Sequence, residues 1–190
     1  MEKKIVIIDN YDSFTYNLVH IIEQIQGHKI DVYRNDEISV EECGRYDYII
    51  ISPGPGLPNE SGNTMEIIRT YYTSKKIFGV CLGLQATVEV FGGQLKNLSK
   101  VYHGIETPMH VIKDSPIYQD IEEEFIAGRY HSWVADTVNF PKELVIDCVD
   151  NANEIMGLHH NEYPLYAVQF HPESIMTPDG PSMLRNFLNL

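Results

Sequence analysis

Hydrophobic residues fall in two rhythms along the first half of this chain. The runs "KIVIID" (4–9), "KIDVYR" (29–34), "YDYIIIS" (46–52) and "KIFGVC" (76–81) are short, apolar and rich in β-branched side chains. A strand covered on both faces needs such an uninterrupted run. Between them the period lengthens. Phe14, Leu18, Ile21, Ile22 and Ile25 recur at three- and four-residue steps, which sets them on one face of a helix. Asp12 or Ser13 is placed to cap its start, and Gly27 to close it. "TMEIIRTYYTS" and "LGLQATVEVFGG" predict two more helices, with "PGPGLPNESGN" as loop. The alternation predicts an α/β fold: an open, mostly parallel sheet flanked by helices.

After Gly93 the pattern shortens. "KVYHGIETPMHVI", "FIAGRYHSWVA" and "LVIDCVD" read as strands separated by turns, an antiparallel extension of the sheet. "NEIMGLHHNEYPLYAVQFH" predicts two strands around an Asn161–Glu162 turn, and "SMLRNFLNL" a terminal helix. No repeat or linker composition interrupts the chain, so one domain over residues 1–190 is expected.

Charge narrows the partners. A formal net charge of −13, from 27 acids against 14 bases, disfavours nucleic acid or an anionic membrane, both of which demand a basic footprint. The N-terminal apolar run is too short for a signal peptide, and no run approaches the ~20 apolar residues that span a bilayer. Cys43, Cys81 and Cys148 are odd in number and in no metal-type spacing. Neither disulfides nor a zinc site is suggested, and a reducing cytoplasm is the expected location.

Candidate chemistry begins at Cys81. Gly79 and Gly83 bracket it where an apolar run gives way to a helix, the form of a nucleophile elbow with Cys in place of Ser. A thiol there stands at the carboxyl end of a strand and at a helix N-terminus, which favours a thiolate and supplies donors for an oxyanion. The Leu82 N–H is the natural first donor. Cys43 and Cys148 read as buried and inert. In "QFHPES", His171 and Glu173 are two apart, so an extended backbone sends both side chains the same way. A carboxylate on one ring nitrogen leaves the other free to exchange a proton with a thiol. "SPGPG" (52–56) lacks the Lys-Ser/Thr of a phosphate loop. A second oxyanion donor from Gly56 is the better reading there, against a plain turn. His159 and His160 sit on a hairpin, where pleating sends them to opposite faces and disfavours a metal site. His103 and His131 stay unassigned.

Taken in order, "SPGPG", "GVCLGLQ", "GRYHS" and "VQFHPES" resemble the class I, triad-type glutamine amidotransferases, with their flavodoxin-like sheet and antiparallel extension. The resemblance implies Cys81, His171 and Glu173 as catalytic triad and the Gly56 and Leu82 N–H groups as oxyanion hole. Gly54, Pro55, Gly56, Gln85, Ser132 and Trp133 would bind L-glutamine, without a metal or cofactor in this subunit. "DNYDSFTYNL" (9–18) and "HPESIMTPDG" (171–180) are similar to the glutaminase subunits of anthranilate synthase (component II) and para-aminobenzoate synthase. Those subunits deliver ammonia to a separate chorismate-using synthase subunit, the partner the resemblance implies. Tryptophan biosynthesis is the first expectation, folate biosynthesis the alternative, and a free-standing γ-glutamyl hydrolase or a lapsed scaffold the more distant ones. Three positions depart from the family pattern: Leu84 for a usual His, Ile105 for Lys, and Trp133 for Leu. Altered packing is expected at Leu84, and a reshaped pocket or partner-facing surface at Trp133.

Overall fold

The computed structural model describes residues 3–190; Met1 and Glu2, at the head of the N-terminal stretch read above, lie outside the described residues. In chain order the elements are β1 (Ile5–Asp9), α1 (Thr15–Gln26), β2 (Asp31–Arg34), α2 (Val40–Cys43), β3 (Tyr48–Ile51), α3 (Thr64–Tyr71), β4 (Lys76–Val80) and α4 (Leu82–Val90). They continue as β5 (Leu95–Asn97), β6 (Ile105–Val111), β7 (Glu124–Arg129), β8 (Trp133–Ala135), β9 (Leu144–Asp150), β10 (Ile155–His160), β11 (Leu165–Val168) and α5 (Gly180–Leu188).

Nine strands make one sheet in the order β2-β1-β3-β4-β11-β10-β9-β6-β7. The first five are mutually parallel and the rest antiparallel; four of the parallel strands come from the alternating first half, and β11, from the part expected to be antiparallel, joins them beside β4. Helices cover both faces of the parallel half. Ile5 and Ile7 of β1 pack with Leu18 and Ile22 of α1 and with Leu184 and Phe187 of α5. Val6 and Ile8 pack on the opposite face with Ile67 and Ile68 of α3 and Leu84 of α4. Each fully buried aliphatic side chain contributes roughly 1.5–3 kcal/mol relative to exposure, so a strand buried on both faces is anchored twice.

Several expectations are refined. α1 closes at Gly27 in the left-handed conformation (φ 76°) as expected. Its start is not capped at the first turn: the Asp12 carboxylate accepts instead from the Phe14 N–H (2.7 Å), just ahead of the helix. "FIAGRYHSWVA" is not one strand. It breaks after Arg129, and its second part, β8, pairs with the unforeseen β5 in a separate two-stranded sheet. The acidic stretch around Ser39 forms the short helix α2, opened by a reciprocal Ser39–Glu42 capping box.

Candidate active site

Gly79, at the end of β4, explains why that strand can feed α4 so abruptly. A Cβ on it would lie 2.7 Å from the Gly83 carbonyl carbon and 2.8 Å from its oxygen. A Cβ on Gly83 would in turn lie 3.1 Å from the Ile51 carbonyl oxygen. The glycine bracket therefore lets the first turn of α4 lie directly on β4 and β3. Between them Cys81 is forced to φ 52°, ψ −98°, a conformation costing about 1–3 kcal/mol that persists only where the surroundings impose it. Its N–H is tied to the Val168 carbonyl of β11 (2.8 Å). The N–H groups of Leu84 and Gln85 return to the Cys81 carbonyl. Those of Leu82 and Gly83 come earlier in the helix than any intrahelical acceptor can serve.

The thiol is 6% exposed and lines a cavity of about 330 Å³ together with Gly54, Pro55, Gly56, Gln85, Ser132 and Trp133. Every glutamine-binding residue expected from the sequence thus borders one space. The loop carrying Gly54 is pinned from the N-terminal signature. Asn10 N–H donates to Ser52 Oγ (2.8 Å), its side-chain amide donates to the Ser52 carbonyl (2.9 Å), and its Oδ1 accepts from Asn35 and Thr64. A Cβ on Gly54 would stand 2.5 Å from the Asn10 Cβ and carbonyl oxygen, so only glycine lets the loop pass. Gly56 follows at φ 77°.

His171 and Glu173 come together, but not as expected. The strand has ended, and residues 171–174 form a turn closed by the Ser174 N–H donating to the His171 carbonyl (3.1 Å). Within that turn His171 Nδ1 lies 2.6 Å from Glu173 Oε1. Burial works against the imidazolium, but the Glu173 carboxylate and the neighbouring Cys81 sulfur hold the His171 pKa well above the usual histidine value. Nε2 has no hydrogen-bond partner, which leaves it available for a reacting group. The ring is clamped by Tyr130 (centroids 4.8 Å apart) and by Phe14 (6.2 Å) of the N-terminal signature.

Behind the cavity the segment Arg129–Trp133 carries a buried network. Arg129, 1% exposed, pairs with Asp150 (2.5 Å), lies over the Tyr102 ring and donates from Nε to His131 Nε2 (3.1 Å). Burial, then the Arg129 charge, push the His131 pKa down to about 3. The ring is neutral, and its proton sits on Nδ1, donated to the Trp133 carbonyl (3.0 Å). Gln85 donates to the same carbonyl (3.0 Å).

Of the departures, Leu84 is fully buried in the core under α4, Ile105 pairs opposite Arg129 at the start of β6, and Trp133 borders the cavity. Cys43 and Cys148 are buried away from it; burial pushes the Cys43 thiol up to about 11 and raises Cys148 as well. His159 and His160 face opposite sides of the sheet, His159 on Asp147 and His160 among Tyr72, Phe91 and Tyr163. Among the described residues no group of three or more His, Cys, Asp or Glu side chains could hold a metal ion. No helix among them is long and apolar enough to cross a membrane. Gln169, which the motif reading passed over, proves to be the residue whose amide faces the Cys81 sulfur (3.4 Å). Its signal was present: it stands two before His171, on the same side of the chain.

A thiol at a positive-φ elbow borders one cavity with a glycine loop, and a carboxylate-backed imidazole stands beside that thiol, outside the cavity lining; these are the parts a cysteine-nucleophile hydrolase needs. The family model of class-I glutamine amidotransferases matches residues 6–190, and the chain belongs to that family. It is 45% identical over 192 residues to "Anthranilate synthase component 2" of Saccharolobus solfataricus, covering 97% of each chain. It is 40% identical to "Aminodeoxychorismate/anthranilate synthase component 2" of Bacillus subtilis, covering 97% of this chain and 95% of that one. "Bifunctional protein TrpGD" of Thermotoga maritima is also 40% identical, and there the chain spans about a third of the relative's length (32%). A glutamine amidotransferase structure from Thermotoga maritima shares the fold, with a TM-score of 0.79 over 100% of this chain and 97% of that one at 13% identity.

Proposed function

We propose that this chain is the glutaminase component of an anthranilate synthase, with Cys81, His171 and Glu173 as its catalytic residues. The observation that carries the reading is the elbow geometry: Cys81 is held at φ 52° on the floor of a cavity, beside an imidazole backed by a buried carboxylate. Glutamine enters with its side-chain carboxamide over the Cys81 sulfur, seated between the Gly54–Gly56 loop, Gln85 and the Ser132–Trp133 segment. Both amide hydrogens of Gln85 are engaged by protein oxygens, so its carbonyl oxygen is the group left for the substrate.

The Cys81 thiolate attacks the carboxamide carbon, and the charge that moves onto oxygen is met by the Leu82 and Gly56 N–H groups. His171, as imidazolium, gives its proton to the departing nitrogen, and ammonia leaves with a γ-glutamyl thioester behind. The now neutral His171 takes a proton from water, hydroxide adds to the thioester carbon, and glutamate departs as the Cys81–carbon bond breaks. The imidazolium and thiolate are restored. Glu173 holds the Nδ1–H throughout and calls for no cofactor. Ammonia passes to a chorismate-using synthase subunit in the cytoplasm, and the relatives named as components of such synthases support that assignment.

The test supplies glutamine and chorismate to this chain mixed with each chorismate-using synthase subunit from its own genome, and identifies the aromatic amine. Anthranilate is expected. Aminodeoxychorismate alone would move the chain to folate synthesis, and glutamine hydrolysis without either product would make it a free-standing hydrolase. Cys81→Ala is expected to abolish synthesis from glutamine while synthesis from added ammonia survives in the assembled complex. Loss of both in a complex that still forms would refute ammonia transfer.

A further inference from the structure

We propose that Gln169 is a hydrogen-bond donor to the Cys81 sulfur, with its carboxamide turned into that orientation by the Trp133 carbonyl acting through Gln85. This rests on Cys81 being the nucleophile, as proposed above.

The two ends of a glutamine side chain have nearly the same shape and differ in what they can bond. Orientation must therefore come from partners that have no choice. A backbone carbonyl only accepts, so Gln85 presents its NH2 group to the Trp133 oxygen (3.0 Å). The same NH2 group reaches Gln169 Oε1 (3.3 Å). That fixes the oxygen of Gln169 toward Gln85 and leaves its NH2 group on Cys81 Sγ (3.4 Å). The Trp133 oxygen is itself held from the other side. Arginine only donates, so the Arg129 Nε contact on His131 Nε2 places the ring proton on Nδ1, which is donated to the same carbonyl. Every direction in the series follows from the two groups without alternatives, the guanidinium and the carbonyl.

Burial gives the contact its weight. Gln169 is 0% exposed, so water does not compete for its amide. A neutral thiol is a weak acceptor, whereas a thiolate takes a charge-assisted bond about twice as strong as a neutral one. The Gln169 donor therefore favours the charged sulfur, both as the attacking group and as the group that leaves when the thioester is hydrolysed. Because Trp133 also borders the glutamine cavity, the seat of the substrate and the charge on the nucleophile share one hydrogen-bonded series.

The experiment is the pH dependence of Cys81 alkylation by iodoacetamide, followed on the full chain by the mass of the Cys81 peptide. The wild type is compared with Gln169→Met, which keeps the volume and removes the donor, and with Gln85→Met, which frees the Gln169 amide to turn. A donor to a charged group is worth enough to move the midpoint up by about one to two pH units in Gln169→Met, a roughly ten- to hundredfold slower alkylation below both midpoints. A smaller upward move is expected in Gln85→Met, which decides the matter if Gln169→Met does not fold. A residue that merely fills space would lower the melting temperature and leave the midpoint in place. An unmoved midpoint in a folded variant overturns the inference. A wild-type Cys81 that alkylates no faster than buried Cys43 and Cys148 instead overturns the nucleophile assignment itself.

Discussion

Gly79→Ala isolates the idea that close backbone contact, and not the residues of the site alone, makes the elbow work. The new Cβ would stand 2.7 Å from the Gly83 carbonyl carbon and 2.8 Å from its oxygen. Carbon–carbon contacts are comfortable at about 3.5–4.0 Å, so β4 and the first turn of α4 must part by about 1 Å. Both are backbone, and neither can rotate away. Overpacking of this kind costs about 1–3 kcal/mol, which in a chain of this size lowers the melting temperature by about 2–12 °C at 2–4 °C per kcal/mol. The effect on rate is larger, since a 1 Å misplacement of a reacting group costs on the order of 100-fold. Gly92→Ala is the matched control. Gly92, unlike Gly79, sits at positive φ (85°), where an L side chain costs about 1–2 kcal/mol, yet a Cβ there meets nothing within 4 Å, so the variant should lose that much stability and leave the rate alone. The assay is glutamate release from glutamine in the assembled synthase, with thermal unfolding of both variants. A folded Gly79→Ala protein with wild-type turnover would refute the argument, as would equal rate losses in the two variants.

Glu173→Gln should lower turnover by roughly 10²–10⁴-fold, measured as glutamate release. It should also remove a pH-dependent part of stability. Because the folded His171 pKa is raised, that part is complete below the ordinary value of about 6.5 and lost as pH climbs through the raised folded value. The melting-temperature gap between wild type and Glu173→Gln should therefore narrow as pH rises, and a constant gap would refute the pairing. Arg129→Met leaves Asp150 buried without its cation and should cost about 3–5 kcal/mol, with part recovered on adding Asp150→Asn. Thermal unfolding of the single and double variants reads this, and a single variant that melts like wild type would overturn it.

The parallel half of the sheet was legible because its strands are buried on both faces, and burial writes itself as unbroken runs such as Ile5–Ile8 and Ile49–Ile51. The elbow was legible for a local reason too, since the strand–glycine–cysteine–glycine–helix order is contiguous. What stayed hidden was long-range. Between β7 and β8 the carbonyls of His131 and Ser132 are taken by the N–H groups of Tyr102 and Leu98, and β8 pairs with β5 outside the main sheet; no local pattern announces those partners. His171 and Glu173 were paired correctly from a two-residue spacing, although a turn and not a strand brings them together. The buried Arg129 and Asp150 are 21 residues apart, and neither carries a sign that it faces the other.

β11 lies between β4 and β10 in the middle of the sheet, yet it is the last strand in the chain. Cys81 follows β4, and its N–H is bonded to Val168 of β11, with His171 three residues further on. During synthesis, then, Cys81 emerges from the ribosome long before His171. Until the segment from Leu165 onward has followed, the two halves of the sheet have no strand to join them. With the catalytic roles proposed for these two residues, the growing chain has no glutaminase activity. The same order leaves the inner edges of β4 and β10 open until β11 has been made, so the interval before β11 slots in is when this protein most depends on being kept apart from its neighbours.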